Sequence, residues 1–80
     1  MPDRKQTTLV LMPTGRSGVV VQIRGGTIMV SRLSAMGIRP GKRIIKSSAM
    51  FMRGPVTVQV DRAQLAIGYG MAGRIMVALD

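Results

Sequence analysis

Glycine and proline divide this 80-residue chain into short segments, and this division limits what the chain can fold into. Turn-forming residue types recur at positions 14–18, 25–26, 40–41, 54–55 and 68–73. Glycine permits positive φ and proline does not continue a helix, so each group predicts a turn. The chain is therefore expected to form one small domain over residues 1–80, with residues 1–8 as a loose N-terminus and a modest core.

Alternation of apolar and polar residues predicts the strands. Val56, Val58 and Val60 alternate with polar residues, which is the strongest strand signal in the chain. Residues 19–24 also alternate, and they place Val19, Val21 and Ile23 on one face. Shorter strand signals lie at residues 42–48, 65–67 and 75–79.

One segment changes to a helical period. Met29, Leu33 and Met36 are spaced as one stripe of a short helix, and Thr27 or Ser31 is a candidate N-cap. Gly37 then supplies a left-handed residue that ends the helix, and a proline follows shortly afterwards.

These elements predict a mainly β fold. We expect a small, partly open barrel of about five strands, with the short helix inserted after the first barrel strand and a helical turn near residues 69–73. Barrel closure suits so small a chain, because it leaves few unpaired strand edges.

The residue types exclude most enzyme chemistry. The chain has no Cys and no His, and its acids are Asp3, Asp61 and Asp80. These residues provide no thiolate, no imidazole base and no carboxylate pair, so we predict no catalysis, no cofactor and no side-chain metal site built within one chain. Carbonyl oxygens, or terminal acids shared between chains, remain open as ligands for a cation. Lys46 beside Ser47 is better explained as polar residues on a solvated strand than as a catalytic pair. The longest apolar run, residues 75–79, is too short for a membrane span or a secretory signal.

Positive charge dominates the chain, with twelve Lys and Arg against three acids and a net charge of +9. No acid lies between Asp3 and Asp61. Such a field attracts an acidic protein, nucleic acid or anionic lipid, although a solvated basic face kept for solubility remains the plain alternative. Only Phe51 and Tyr69 are aromatic, which disfavours stacking on single-stranded nucleic acid but leaves duplex binding through phosphates open.

An apolar cluster stands in a predicted loop. Met50, Phe51 and Met52 lie just before the turn at residues 54–55, with Arg53 beside them. The cluster either folds back over one end of the barrel or forms an adaptable contact patch, and we favour the patch.

The segment from residue 32 to 41 reads R-L-S-A-M-G-I-R-P-G and follows a Gly-Gly pair. This pattern resembles the ferrous iron transport protein A (FeoA) family, and the resemblance extends over residues 9–79. An apolar residue is common in that family where Lys46 stands. The resemblance implies an SH3-like β-barrel and a cytoplasmic location.

The resemblance also implies a role as an adaptor or regulator of the Feo ferrous iron uptake system, with ferrous iron transport protein B, the membrane GTPase permease, as the partner. The expected partner-binding residues are basic or apolar. They are Arg39, Lys42, Arg43, Lys46, Met50, Phe51, Met52 and Arg53. Peripheral contact with anionic lipid at the inner face of the membrane fits the same charge. The alternatives are a small basic nucleic-acid-binding domain and a purely structural subunit of a larger complex.

Overall fold

A computed structural model describes residues 5–49 and 52–80 of the chain. Within these residues the chain forms six strands and two helices. In chain order they are β1 Gln6–Thr8, β2 Ser17–Ile23, α1 Thr27–Ala35, β3 Arg43–Ala49, β4 Val56–Val60, β5 Ala63–Ile67, α2 Tyr69–Ala72 and β6 Ile75–Leu79.

The strands form one antiparallel sheet in the order β1-β6-β2-β3-β4-β5. The mainly β fold, the single helix after the first barrel strand and the helical turn near residue 70 are confirmed. The sheet is not closed, because among the described residues β1 pairs only with β6 and β5 pairs only with β4. Strand β1 also lies within the N-terminal segment that we expected to be loose.

The core lies against one face of this sheet. Strands β4 and β6 point their alternate valines and isoleucine into it, and α1 and the segment after β1 cover it. The largest fully buried side chains are Leu9, Met12, Val20, Leu33, Ile38, Ile44, Val58, Ile67, Ile75 and Val77.

Strand β2 departs from the predicted alternation. Val20 is fully buried, whereas Val21 is 38% exposed, so the predicted apolar face of Val19, Val21 and Ile23 is wrong. The reason is a shift of register against β6 between Val20 and Gln22, where an extra residue switches the face that later side chains take. Ile23 thereby packs against the core.

Glycine residues stand at both ends of helix α1. Its N-cap is Gly26, which makes no side-chain hydrogen bond, so neither Thr27 nor Ser31 is the N-cap as predicted. At the C-terminus Gly37 has φ +92°, its amide donates to Ser34 O over 2.9 Å, and the Ile38 amide donates to Leu33 O over 2.9 Å. This pair of bonds is a Schellman motif, and Ile38 and Leu33 meet in the core beneath it.

We expect the substitution Gly37→Ala to lower the free energy of unfolding by about 1 kcal/mol, since a Cβ is strained at this φ. A new Cβ would lie 3.5 Å from the Val60 side chain, which is an ordinary van der Waals contact. The expected loss of stability therefore comes from backbone strain and not from a steric clash. The measurement is urea denaturation. Gly70→Ala is the control: Gly70 has open space around it in α2, and its substitution should leave stability unchanged or raise it slightly. Equal losses in both variants would contradict this account of the helix end.

Candidate partner-binding surface

The β3–β4 hairpin distributes the predicted binding residues over three separate places. Arg39, Lys42 and Arg43 lie before or at the start of β3, and Lys46 lies in the strand's middle. Met52 and Arg53 lie beyond the strand's other end. Six residue steps of strand separate the two ends by about 20 Å. The residues therefore do not form one continuous surface.

The cations at the start of β3 are largely neutralised. Lys42 Nζ lies 2.8 Å from Asp61 Oδ2, and Arg43 pairs with Asp80, whose Oδ2 also accepts a 2.6 Å hydrogen bond from Ser17 Oγ. Arg39 is exposed and forms no ion pair with any residue in 5–49 or 52–80. Of the predicted cations in this group, Arg39 has the most charge to offer a partner.

Lys46 does not lie on the surface at all. Only 3% of it is exposed, because it follows Ile44 by two residues and points to the same core face. Its ammonium donates to Val10 O over 2.9 Å and to Met12 O over 2.7 Å. The prediction that it helps to bind a partner is therefore corrected: Lys46 holds the segment between β1 and β2.

The backbone of Lys46 joins the same segment. Its carbonyl accepts from the Gly15 amide over 2.7 Å, and its amide donates to Arg16 O over 3.0 Å. One residue thus makes four hydrogen bonds to the connection between β1 and β2. Burial lowers the pKa of the Lys46 ammonium below its ordinary value of 10.5, because the charged form loses hydration.

The β3–β4 turn presents the second group of residues. Met52 is 94% exposed, and both Met52 and Arg53 have left-handed backbone, with φ of 59° and 64°. The Arg53 guanidinium carbon lies 5.9 Å from the centroid of the Tyr69 ring, in cation–π range. Met50 and Phe51 lie outside the described residues.

Met52, Arg53 and Tyr69 are hereafter called the turn patch. Tyr69 is 39% exposed and was not among the predicted binding residues. The sequence gives no signal for its inclusion, since the contact with Arg53 depends on how α2 follows β5. Two further apolar side chains, Leu11 and Ile28, are also largely exposed, each on a different segment.

Within the described part of the chain, no group of three or more His, Cys, Asp or Glu side chains lies close enough to hold a metal ion. Neither helix found there has the length and apolar character needed to cross a membrane.

Replacing Lys46 with methionine tests its structural role. We expect Lys46→Met to lower the free energy of unfolding at pH 7 by about 2 kcal/mol, because one buried and one part-buried carbonyl lose a charged donor. The measurement is urea denaturation. Lys42→Met is the matched control, and it should cost no more than about 1 kcal/mol because the Lys42–Asp61 pair lies at the surface. A larger loss in the control would contradict this assignment.

The lowered pKa of Lys46 predicts a pH dependence of stability. Between its folded-state pKa and 10.5, the unfolded chain binds more protons than the folded chain, so stability rises with pH. The free energy of unfolding of the native chain, minus that of Lys46→Met, should therefore increase from pH 7 toward pH 10.5. Denaturation curves across this range measure the difference, and a decrease would show that the fold favours the charged ammonium.

Comparison with known proteins identifies the fold and the family. A family model described as the FeoA domain matches residues 7–79. The crystal structure of an iron uptake regulatory protein (FeoA) superposes with a TM-score of 0.85 at 37% sequence identity, covering 95% of this chain and 99% of that one. A FeoA protein from Chlorobium tepidum, solved by NMR, gives a TM-score of 0.83 at 18% identity and covers 91% and 70%. A search of curated protein sequences finds no match.

The same fold occurs within larger regulators. A manganese-dependent transcriptional repressor superposes with a TM-score of 0.88 at 22% identity, covering all of this chain and 45% of the repressor chain. That likeness shows the fold alone and does not support the nucleic-acid-binding alternative. The six strands within the described residues have the SH3-like arrangement that the resemblance to the FeoA family implies. Since the family model spans nearly the whole length, the chain belongs to the FeoA family.

Proposed function

We propose that this protein is a cytoplasmic adaptor of the Feo ferrous iron uptake system. In this role it binds the membrane GTPase permease, ferrous iron transport protein B, and modulates its iron transport. The observation that carries the proposal is the FeoA family match over residues 7–79. The 37% identity to an iron uptake regulatory protein over almost the full length of both chains supports it.

The turn patch is the proposed site of contact with the permease. Met52 offers an unbranched, polarisable side chain that adapts to an irregular surface, and its exposure leaves it free for contact. Arg53 supplies a cation at the edge of the patch, and its stacking on Tyr69 restricts how it moves before a partner arrives. Tyrosine and arginine are typical of the residues that dominate binding at interfaces, and methionine is enriched there.

A non-catalytic role fits the residues of this chain. It contains no Cys and no His, and Asp61 and Asp80 are engaged in ion pairs with Lys42 and Arg43. We infer that any nucleotide chemistry in the complex belongs to the partner.

Positive charge would assist the encounter. Arg24, Arg32 and Arg39 are exposed and have no ion pair within the described ranges, so they add to the attraction toward an acidic partner or anionic lipid. Each basic side chain near an anionic membrane surface contributes about 1 kcal/mol. Such contact would concentrate the adaptor at the inner face of the membrane that holds the permease.

Removing the apolar side chains at positions 50–52 tests the site. We expect the triple variant Met50→Ser, Phe51→Ser and Met52→Ser to bind the detergent-solubilised permease about tenfold more weakly, because it loses the apolar contact. Surface plasmon resonance on the purified permease measures the change. Ile28→Ser is the matched control, since it removes an exposed apolar side chain from α1 instead. Thermal denaturation establishes that both variants are folded.

The outcomes separate the function from the site. If the native chain does not bind the permease, the proposed function is wrong. If the native chain binds and the folded triple variant binds equally well, the function stands and the apolar side chains at positions 50–52 do not contribute to docking.

A further inference from the structure

The two edges of the sheet differ in how well they are protected. Strand β1 has only three residues, and Lys5 stands beside it. Strand β5 has five residues, none of which is charged and none of which is proline. Its register with β4 runs without a shift, whereas the β2–β6 and β3–β4 pairs each contain one. Short strands, charges, proline and bulges are the usual means of blocking an edge, and β5 has none of these.

Within residues 5–49 and 52–80, β5 pairs with no strand other than β4, and its free edge carries main-chain groups that suit another strand. A two-residue turn joins Val60 to Ala63, and five residue pairs follow in unbroken antiparallel register. In such a hairpin the hydrogen-bonded pairs alternate with non-bonded pairs, starting from the bonded pair that closes the turn. Gln64 and Ala66 fall at the non-bonded positions, so their amides and carbonyls point away from β4. Both residues are exposed.

Positive charge stands at both ends of this edge. Arg62 is exposed in the turn immediately before β5. Tyr69 follows the strand's last residue by two positions and holds Arg53 over its ring. The nearby acid, Asp61, is paired with Lys42. An uncharged strand edge is thus bounded by an arginine at each end.

We propose that the free edge of β5 binds an extended segment of a partner protein by strand addition, and that this segment has acidic residues at both ends of an uncharged stretch. Main-chain hydrogen bonds to Gln64 and Ala66 would hold the segment, and the arginines would fix its position along the edge. The inference deepens the proposed function, because it states what kind of segment the adaptor takes from its partner and rests on that function for the partner's identity.

Charge argues against a second copy of the same chain as the occupant. Each copy carries a net charge of +9. Antiparallel pairing of two β5 edges would place Arg62 of one copy opposite the end marked by Arg53 and Tyr69 of the other. Like charges in directly opposed positions destabilise strand pairing. An acid-flanked segment replaces this repulsion with attraction.

A synthetic peptide tests the proposal without the permease. The probe is fluorescein-labelled and has two aspartates at each end of five alternating threonine and valine residues. We expect fluorescence polarisation to show binding at low salt that weakens as salt is added. The same peptide with lysine in place of aspartate should bind at least about tenfold more weakly.

Methylation of the peptide's amides tests the main-chain bonds and leaves the protein unchanged. Only one of the two alternating sets of amides can face β5. Methylating that set should abolish binding, and methylating the other set should preserve it. Equal binding by both methylated peptides, or no binding by the parent peptide, would overturn the proposal.

Variants of the protein complete the test. Ala66→Pro removes an amide from the free edge and should abolish peptide binding, whereas Ala66→Ser keeps the amide and should not abolish it.

Arg62→Glu should weaken binding about tenfold, and Arg32→Glu, which makes the same charge change on α1, should have a much smaller effect. If Ala66→Pro fails to fold, the methylated peptides still test whether main-chain hydrogen bonds hold the peptide on β5. A dimer of the native chain that Ala66→Pro dissociates would overturn the proposal, because the edge would then belong to a second copy.

Discussion

The ammonium of Lys46 bonds two carbonyls of the connection between β1 and β2, and the order of this end of the molecule depends on that interaction. The connection carries Leu9 and Met12 into the core while Leu11 between them stays exposed, so part of its polar backbone lies against the core. A buried carbonyl without a donor costs free energy. Lys46 supplies two donors from one side chain, and its aliphatic stem packs as an apolar residue would.

That arrangement explains how a charged residue occupies a position where the resemblance to the FeoA family leads us to expect an apolar one. Main-chain hydrogen bonds from β3 to Gly15 and Arg16 place the connection beside the strand independently of the Lys46 side chain. The ammonium then extends the attachment to Val10 and Met12. The lowered pKa is the electrostatic cost of this position, and the two carbonyl acceptors offset part of it.

Much of the fold could be predicted from the sequence, because local rules decide it. The stop of α1 at Gly37 and the valines of β4 follow from backbone conformation and alternation alone. The face of β2 could not be predicted, since an extra residue between Val20 and Gln22 leaves no mark in the residue types. Strand β1 is not predicted, because its three polar residues show no apolar alternation and its strand forms by pairing with β6.

The candidate site was less predictable for a related reason. The sequence predicts which basic and apolar residues bind a partner but not how far apart they lie, and strand β3 runs directly between the basic residues at its start and Met52 and Arg53 beyond its end. The role of Lys46 could have been anticipated from its spacing to Ile44, which places both side chains on one face. The contact between Arg53 and Tyr69 could not have been anticipated, because it joins the β3–β4 turn to α2, and the distance between these two segments depends on the whole sheet.

The pairing of Asp61 and Asp80 with cations at the start of β3 gives the molecule an uneven electrostatic profile. The paired charges there contribute little to the electrostatic field at a distance, whereas the arginines elsewhere that lack an ion pair within the described residues contribute more. An approaching polyanion would consequently exert a torque on this small protein and rotate it before the two surfaces touch. The collisions that result would favour some orientations over others, and productive encounters would be more frequent than random tumbling allows.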